Sequence, residues 1–214
     1  MQQLTHFELV GEFHDVFGHP QRNQLYYNVY EENPKLVSFR LDLIEEEYKE
    51  LYEATTNKDD IEIADALNDM AYVIYGAGQC LGITMKTPVG SIKIDNYLNI
   101  MKLMIIDLRN TTTISTLKEL LDILLKIVYN TGFTLGLNMD LLFREVHRSN
   151  MTKVCVEPDD VILSIEHYKK EGRYKTPSFK QKGKYYVIYD KETTKILKNH
   201  NWNPPNLKQY ITNN

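Results

Sequence analysis

The sequence predicts an all-α fold followed by a small C-terminal extension that contains a β-hairpin. Three observations predict it. Apolar residues recur at helical spacing through the first two thirds of the 214 residues, between residues that cap and stop helices. Strand-like patterning is confined to a short stretch after residue 183. The charge also divides: residues 1–149 carry 13 Lys+Arg against 22 Asp+Glu, and residues 150–214 carry 12 against 7. The expected organisation is a helical domain over 1–155 and a basic extension over 156–214.

Each element has its own signal. Thr5 caps a first helix bearing Phe7, Val10, Phe13 and Phe17, which Gly18 stops. Asn33-Pro34, an N-cap followed by Pro at the first helical position, opens a long helix to about Thr55. Asp59 or Asp60 caps the next, expected to reach about Ala77 and end near Gly78. Helices follow from about Lys93 to Arg109, from a Ser115 cap to about Asn130 before Gly132, and over Asp140–His147. Pro158 starts a short helix to about Lys170, and the basic stretch from Gly172 to Gly183 reads as a loop. The hairpin is placed on "KYYVIYD" (184–190) and "TTKILKN" (193–199). "NPPNLKQYI" closes the chain as an irregular segment with a short helical turn.

An internal echo appears at an offset of 54. "VIYGAGQCLGITM" (73–85) and "IVYNTGFTLGLNM" (127–139) share Tyr75/Tyr129, Gly78/Gly132, Leu81/Leu135, Gly82/Gly136 and Met85/Met139. Two readings stand: chance likeness of two helix ends, or a duplicated helix pair that completes a four-helix bundle within one chain. In the second, Glu46, Glu47 and Glu50 correspond to Ile100, Met101 and Met104.

Composition excludes several classes. No apolar run reaches bilayer length and no secretory signal is visible. Two isolated cysteines, Cys80 and Cys155, fit a reducing compartment, so a cytoplasmic protein is expected. The acidic helical domain argues against nucleic acid as a partner.

The stretch "LIEEEYKELYEA" (43–54) carries the chemistry. On a helical wheel with Glu46 at zero, Phe39, Leu43, Leu36, Ala54 and Leu51 fall on an arc of roughly 20° to 140°. Glu50, near ~40°, and Glu47, near ~100°, lie inside that arc, and Glu46 sits at its edge. Glu45, Lys49 and Glu53 point elsewhere. The next helix adds Glu62, Asp65 and Asp69 on one side. Inward carboxylates must be paired or bound to a cation, and no Lys or Arg stands on these inward faces. An all-oxygen donor set favours Mg²⁺, with Mn²⁺ as the alternative. A di-iron bundle needs Glu three residues before His. The residues at those positions are Gln3, Gly11, Val16, Arg144, Ser164 and Leu197, none of them Glu, which argues against it.

Glu46-Glu47-x-x-Glu50 followed by Glu62-x-x-Asp65 resembles the EExxE…ExxD pattern of the MazG-like all-α NTP pyrophosphohydrolases. "EIADALNDMAYVIYGAGQCLGI", "EVHRSNMTK" (145–153) and "VIYDKETTKILKNHNWNPPNL" resemble the phosphoribosyl-ATP pyrophosphohydrolase-like branch. The likeness covers about 5–85 and 133–155, and more loosely 184–207, with a helix pair inserted at about 87–131. It implies a MazG-like four-helix bundle and a Mg²⁺-dependent hydrolysis of a nucleoside triphosphate between the α- and β-phosphates, in a housecleaning role. The alternatives are phosphoribosyl-ATP as substrate, or an inactive nucleotide- or metal-binding module.

The implied roles are as follows. Glu47, Glu50, Glu62 and Asp65 ligate the metal, Glu46 ligates or acts as base, and Asp69 supports them from behind. Arg148, Asn150 and Lys153 contact the phosphates or nucleotide. Relatives often build the bundle by dimerisation, so a homodimer or an intrachain pseudo-dimer is expected.

Overall fold

A computed structural model describes residues 3–193 and 195–211. It is 62% helical, with eight α-helices and one two-stranded antiparallel hairpin, as the sequence predicts.

Helix α1 (His6–Phe17) starts in a reciprocal cap: Thr5 Oγ1 accepts from Glu8 N, and Glu8 Oε2 accepts from Thr5 N at 2.8 Å. Gly18, at φ 69°, ends it. A short α2 (Val29–Glu32), not foreseen, precedes α3 (Pro34–Asn57), where Asn33 accepts from Leu36 N. Helix α4 (Asp60–Leu81) is capped by Asp59, which accepts from the amides of Ile61 and Glu62. It runs through Gly78 instead of stopping there. A Cβ at Gly78 would lie 2.8 Å from Ile83 O and 2.9 Å from Met85 Sδ, so this glycine admits the returning chain.

The stop is Gly82, at φ 69°, where a Cβ would lie 1.9 Å from Gln24 O. Gly82→Ala is expected to destabilise by roughly 1–3 kcal/mol, read as a lower denaturant midpoint. Gly172→Ala is the control: φ is +71° there too, but nothing lies within 4 Å of the added carbon. It should cost clearly less.

Helices α5 (Tyr97–Asn110) and α6 (Ile114–Thr134) follow. The first starts four residues later than expected. The second is capped by Thr113, not Ser115, through Thr116 N. Gly132 again sits inside the helix, because a Cβ there would meet Met139 at 2.5 Å.

The offset of 54 therefore has structural content. Gly78 packs on Met85, and Gly132 on Met139. Ile83 N donates to Gly78 O, and Leu137 N to Gly132 O, both at 2.9 Å. Gly82 and Gly136 share positive φ, at 69° and 72°. The hydroxyls of Tyr75 and Tyr129 touch, at 3.2 Å. The α3–α4 pair packs on the α5–α6 pair, α3 against α5 and α4 against α6, forming a four-helix core. Met101 is fully buried and Met104 partly buried, but Ile100 is 37% exposed.

Helices α1 and α7 (Met139–Met151) cover α4. Among the described residues, no single helix is long and apolar enough to cross a membrane. Both cysteines are buried and unpaired.

The extension differs in detail from expectation. Helix α8 (Pro158–Glu171) forms, but the hairpin pairs β1 (Pro177–Lys182) with β2 (Tyr185–Asp190). The stretch read as a loop thus supplies a strand. Gly183, at φ 57°, makes the tight turn between Lys182 and Tyr185. The expected second strand, 193–199, is reduced to a bridge between Tyr189 and Ile196, and its residue 194 lies outside the described residues. Asp190 bends the chain there, accepting from Thr176 and Thr193. Leu207–Tyr210 forms the expected helical turn.

Candidate active site

Helix α3 presents its acids in two directions. Glu45 faces α5, where Arg109 Nη2 donates to Glu45 at 2.8 Å and to Asp42 at 2.6 Å. Lys49 pairs with Glu45 at 3.0 Å. These are solvated pairs of small energetic weight. The buried stripe of α3 comprises Val37, Arg40, Leu41, Ile44, Leu51 and Ala54. Phe39, which anchored the expected arc, is 50% exposed. The stripe is therefore rotated by roughly 60° from the one expected. Glu47 lies within it and is half-buried, while Glu46 and Glu50 sit at its exposed edge. On α4, Asp65 and Asp69 are half-buried and Glu62 is exposed.

These acids feel one another. Burial pushes the Glu47 carboxyl up to about 9, reinforced by Asp69, Glu50, Glu46 and Asp65. Burial raises Asp69 to about 7, with Asp65 adding to it. Burial raises Asp65 to about 6, with Glu62 and Glu50 adding to it. Glu50 is also raised, by burial and then by Glu46 and Glu62. Glu47 Oε2 is buried without a hydrogen-bond partner. The two helices thus turn their acids toward one space.

Contrary to the expectation that no Lys or Arg stands on the inward faces, Arg40 lies in the buried stripe of α3, bonded to Cys80, and three lysines reach the acids from other elements. The charges of Lys153 and Lys198 reach Asp65 and Asp69, and that of Lys195 reaches Glu50. None of these lysines forms an ion pair with those acids among the described residues.

The end of α7 carries the predicted anion contacts. Asn150 lies beside the hydroxyl of Tyr72, which bonds His147 Nδ1 at 3.0 Å, with Glu12 beyond at 3.4 Å from His147 Nε2. Asn150 and Lys153 line a cavity of about 120 Å³ with Asp65 and Asp69. Arg148 does not join them. Its guanidinium grips Glu145 at 2.9 and 2.8 Å and donates to Pro204 O at 3.1 Å. Glu145 also accepts from Asn206 N at 2.7 Å. Arg148 therefore fastens the C-terminal segment instead of facing the phosphates, because a buried carboxylate one helical turn back claims it first.

Val146 and Ser149 of α7 and, from the C-terminal segment, Lys198, Trp202 and Pro205 complete the lining. In the sequence alone Lys198 carries no signal, and Trp202 is available for stacking on a base, with packing as its more ordinary role. A larger cavity, about 680 Å³, lies elsewhere, around His6, Tyr129, Phe133 and Asp140, away from the acidic cluster.

The donor set suits a hard cation: carboxylates, one of them with a buried unpartnered oxygen, repelling one another across a partly dry space. Among the described residues, however, no three acidic, His or Cys side chains already stand in a coordination arrangement. Cation binding would need side-chain rotations, most readily at the exposed Glu46, Glu50 and Glu62.

A family described as phosphoribosyl-ATP pyrophosphohydrolase matches residues 10–96. That span contains Glu46, Glu47, Glu50, Glu62, Asp65 and Asp69 and none of Asn150, Lys153, Lys198 or Trp202. "Uncharacterized protein L479" of Acanthamoeba polyphaga mimivirus is 33% identical, with the alignment covering 98% of this chain and 97% of that one. The inserted helices and the extension therefore lie within a shared architecture. No solved structure matches.

Proposed function

The chain belongs to the phosphoribosyl-ATP pyrophosphohydrolase family of the MazG-like all-α superfamily, and from that premise we propose that it hydrolyses nucleoside triphosphates between the α- and β-phosphates. The family is one of pyrophosphohydrolases. The observation that carries the reading is Glu47: a half-buried carboxylate with a buried, unpartnered Oε2 among like charges, within reach of the charge of Lys153. Such a site favours a bound cation and, beyond it, a polyanion.

Glu47, Glu50, Glu62 and Asp65 would hold Mg²⁺ or Mn²⁺, with Asp69 bracing Asp65. When bound, the ion supplies charge neutralisation at the phosphates and lowers the pKa of attacking water. Glu46, exposed beside Glu47, would take the proton from that water. The water oxygen forms the new bond to the α-phosphorus as the bond from that phosphorus to the α–β bridging oxygen breaks. Monophosphate and pyrophosphate leave. Asn150, beside Tyr72, and Lys153 would hold the phosphates. Arg148 is assigned to anchoring the tail.

The contacts between the two helix pairs support an intrachain pseudo-dimer. The acidic helical domain supports a role apart from nucleic acid and membranes. A housecleaning role in the cytoplasm fits this activity.

Pyrophosphate release, measured over the common NTPs and dNTPs and phosphoribosyl-ATP with Mg²⁺, tests the proposal. Turnover of a triphosphate supports it. Turnover of phosphoribosyl-ATP alone would transfer the assignment to the substrate in the family's description. No turnover of any would leave a binding module.

A further inference from the structure

We propose that the C-terminal segment 198–205 is part of the substrate site, with Lys198 and the Trp202 indole N–H gripping phosphate oxygens opposite Asp65 and Asp69. This rests on the reading of the site as one for polyphosphate, and it lies outside the matched family span.

The segment is fixed in place. Asn199 N donates to Lys153 O at 3.1 Å, and its side chain donates to Val154 O at 3.0 Å. Trp202 N donates to Asn199 O at 2.8 Å. Ser149 Oγ donates to Asn203 O at 2.9 Å, and Asn203 N donates to Thr152 Oγ1 at 3.1 Å. The "HRSNMTK" stretch thus clasps the tail, so residues from the far end of the chain complete the cavity of Asp65 and Asp69.

Two features of the segment remain unused by the fold. Trp202 Nε1 is buried with no hydrogen-bond partner, yet an indole N–H can only donate and is costly to leave unsatisfied. Lys198 Nζ lies 3.4 Å from the Trp202 ring centroid, so the ring's π face holds the ammonium in place. Both residues line the cavity shared with Asp65, Asp69, Asn150 and Lys153. A lining that combines two lysines and an unsatisfied indole donor with two carboxylates matches an anion arriving with a divalent cation. The acids take the cation, and the lysines and indole take the phosphate oxygens.

Trp202 is the only tryptophan of the chain, so its fluorescence reports on this cavity without turnover. Inorganic pyrophosphate titrated in the presence of Mg²⁺ should change that fluorescence saturably in the full-length protein. Lys198→Ala should weaken pyrophosphate binding about tenfold, near 1.4 kcal/mol, and raise KM by a similar factor with kcat little changed. Trp202→Phe keeps the ring under the ammonium but removes the donor. Calorimetry should show its pyrophosphate affinity reduced several-fold. Lys208→Ala, an exposed tail change outside this cavity, is the folding and charge control.

Unchanged affinity and KM in Lys198→Ala, with native circular dichroism, would overturn the proposal even if triphosphates are hydrolysed. Pyrophosphate binding that is lost in Lys198→Ala, in a protein that turns over no nucleotide, would uphold it while sinking the assigned reaction. A flat fluorescence titration, with no binding by calorimetry, would sink both.

Discussion

Glu47→Gln is expected to abolish turnover and, in the same protein, to raise the melting temperature of the metal-free form. The two effects share one cause. Glu47 lies within the buried stripe of α3, and its Oε2 has no partner. In the metal-free fold its charge is opposed first by burial and then by four neighbouring carboxylates. A neutral amide of the same shape removes that opposition and gives the neighbouring acids an N–H to accept from. The gain should be about 1 kcal/mol, or roughly 2–4 °C for a chain of this length.

Activity should move the other way. Even the residues behind a metal ligand cost about 10–100-fold when replaced, so loss at Glu47 itself should reach at least about 100-fold. The check is a thermal melt in EDTA beside a pyrophosphate-release assay in Mg²⁺. A variant that is both less stable and inactive would show Glu47 to be a structural carboxylate, and the proposed site would fall.

The second large effect is a loss of metal-free stability as pH rises from about 6.5 to 8. Asp65, Asp69 and Glu47 have folded values raised to about 6, 7 and 9. Raised carboxylates bind more protons folded than unfolded throughout the interval between their two values. Their contribution is therefore fully present at low pH and declines as pH climbs through the folded values. Buried His14 and half-buried His19 act oppositely, since desolvation lowers them to about 4 and about 3. Their neutral forms lose stability only as pH falls below the ordinary histidine value, so above about 6.5 the carboxylates dominate. Mg²⁺ should oppose the decline, because it replaces the protons these acids would otherwise keep. Melting temperatures across this range in EDTA and in Mg²⁺ test both signs. A flat EDTA series, or one insensitive to Mg²⁺, would remove the basis for a cation at this position.

Local chemistry was legible in the chain where partners are near in sequence. Thr5, Asn33 and Asp59 cap the helices they were expected to cap, because a cap depends on amides two or three residues away. The division of the α3 acids also follows from periodicity, with Glu45 and Lys49 turned away from Glu47. The exact rotation of α3 did not follow, because Phe39 looks like a core residue until α4 and α5 fix which stripe is covered. Gly78 and Gly132 read as stops since their reason, a methionine seven residues on, is a packing fact. The hairpin was displaced by one segment because β1, "PSFKQK", lacks apolar alternation and is held by its partner.

The site was half visible. Its acids stand in one sequence neighbourhood, while Lys198 and Trp202 arrive from the far end of the chain. A lone tryptophan in the Asn- and Pro-rich "NHNWNPPN" was the available sign. Arg148 shows the reverse error: a basic residue beside Asn150 and Lys153, already taken by Glu145.

The contact between the α3–α4 and α5–α6 pairs is made within one polypeptide. Its formation is thus unimolecular, and mass action has no hold on it. Diluting the protein a thousandfold should leave the unfolding midpoint of this core where it was, a tolerance that a bundle assembled from separate subunits does not have.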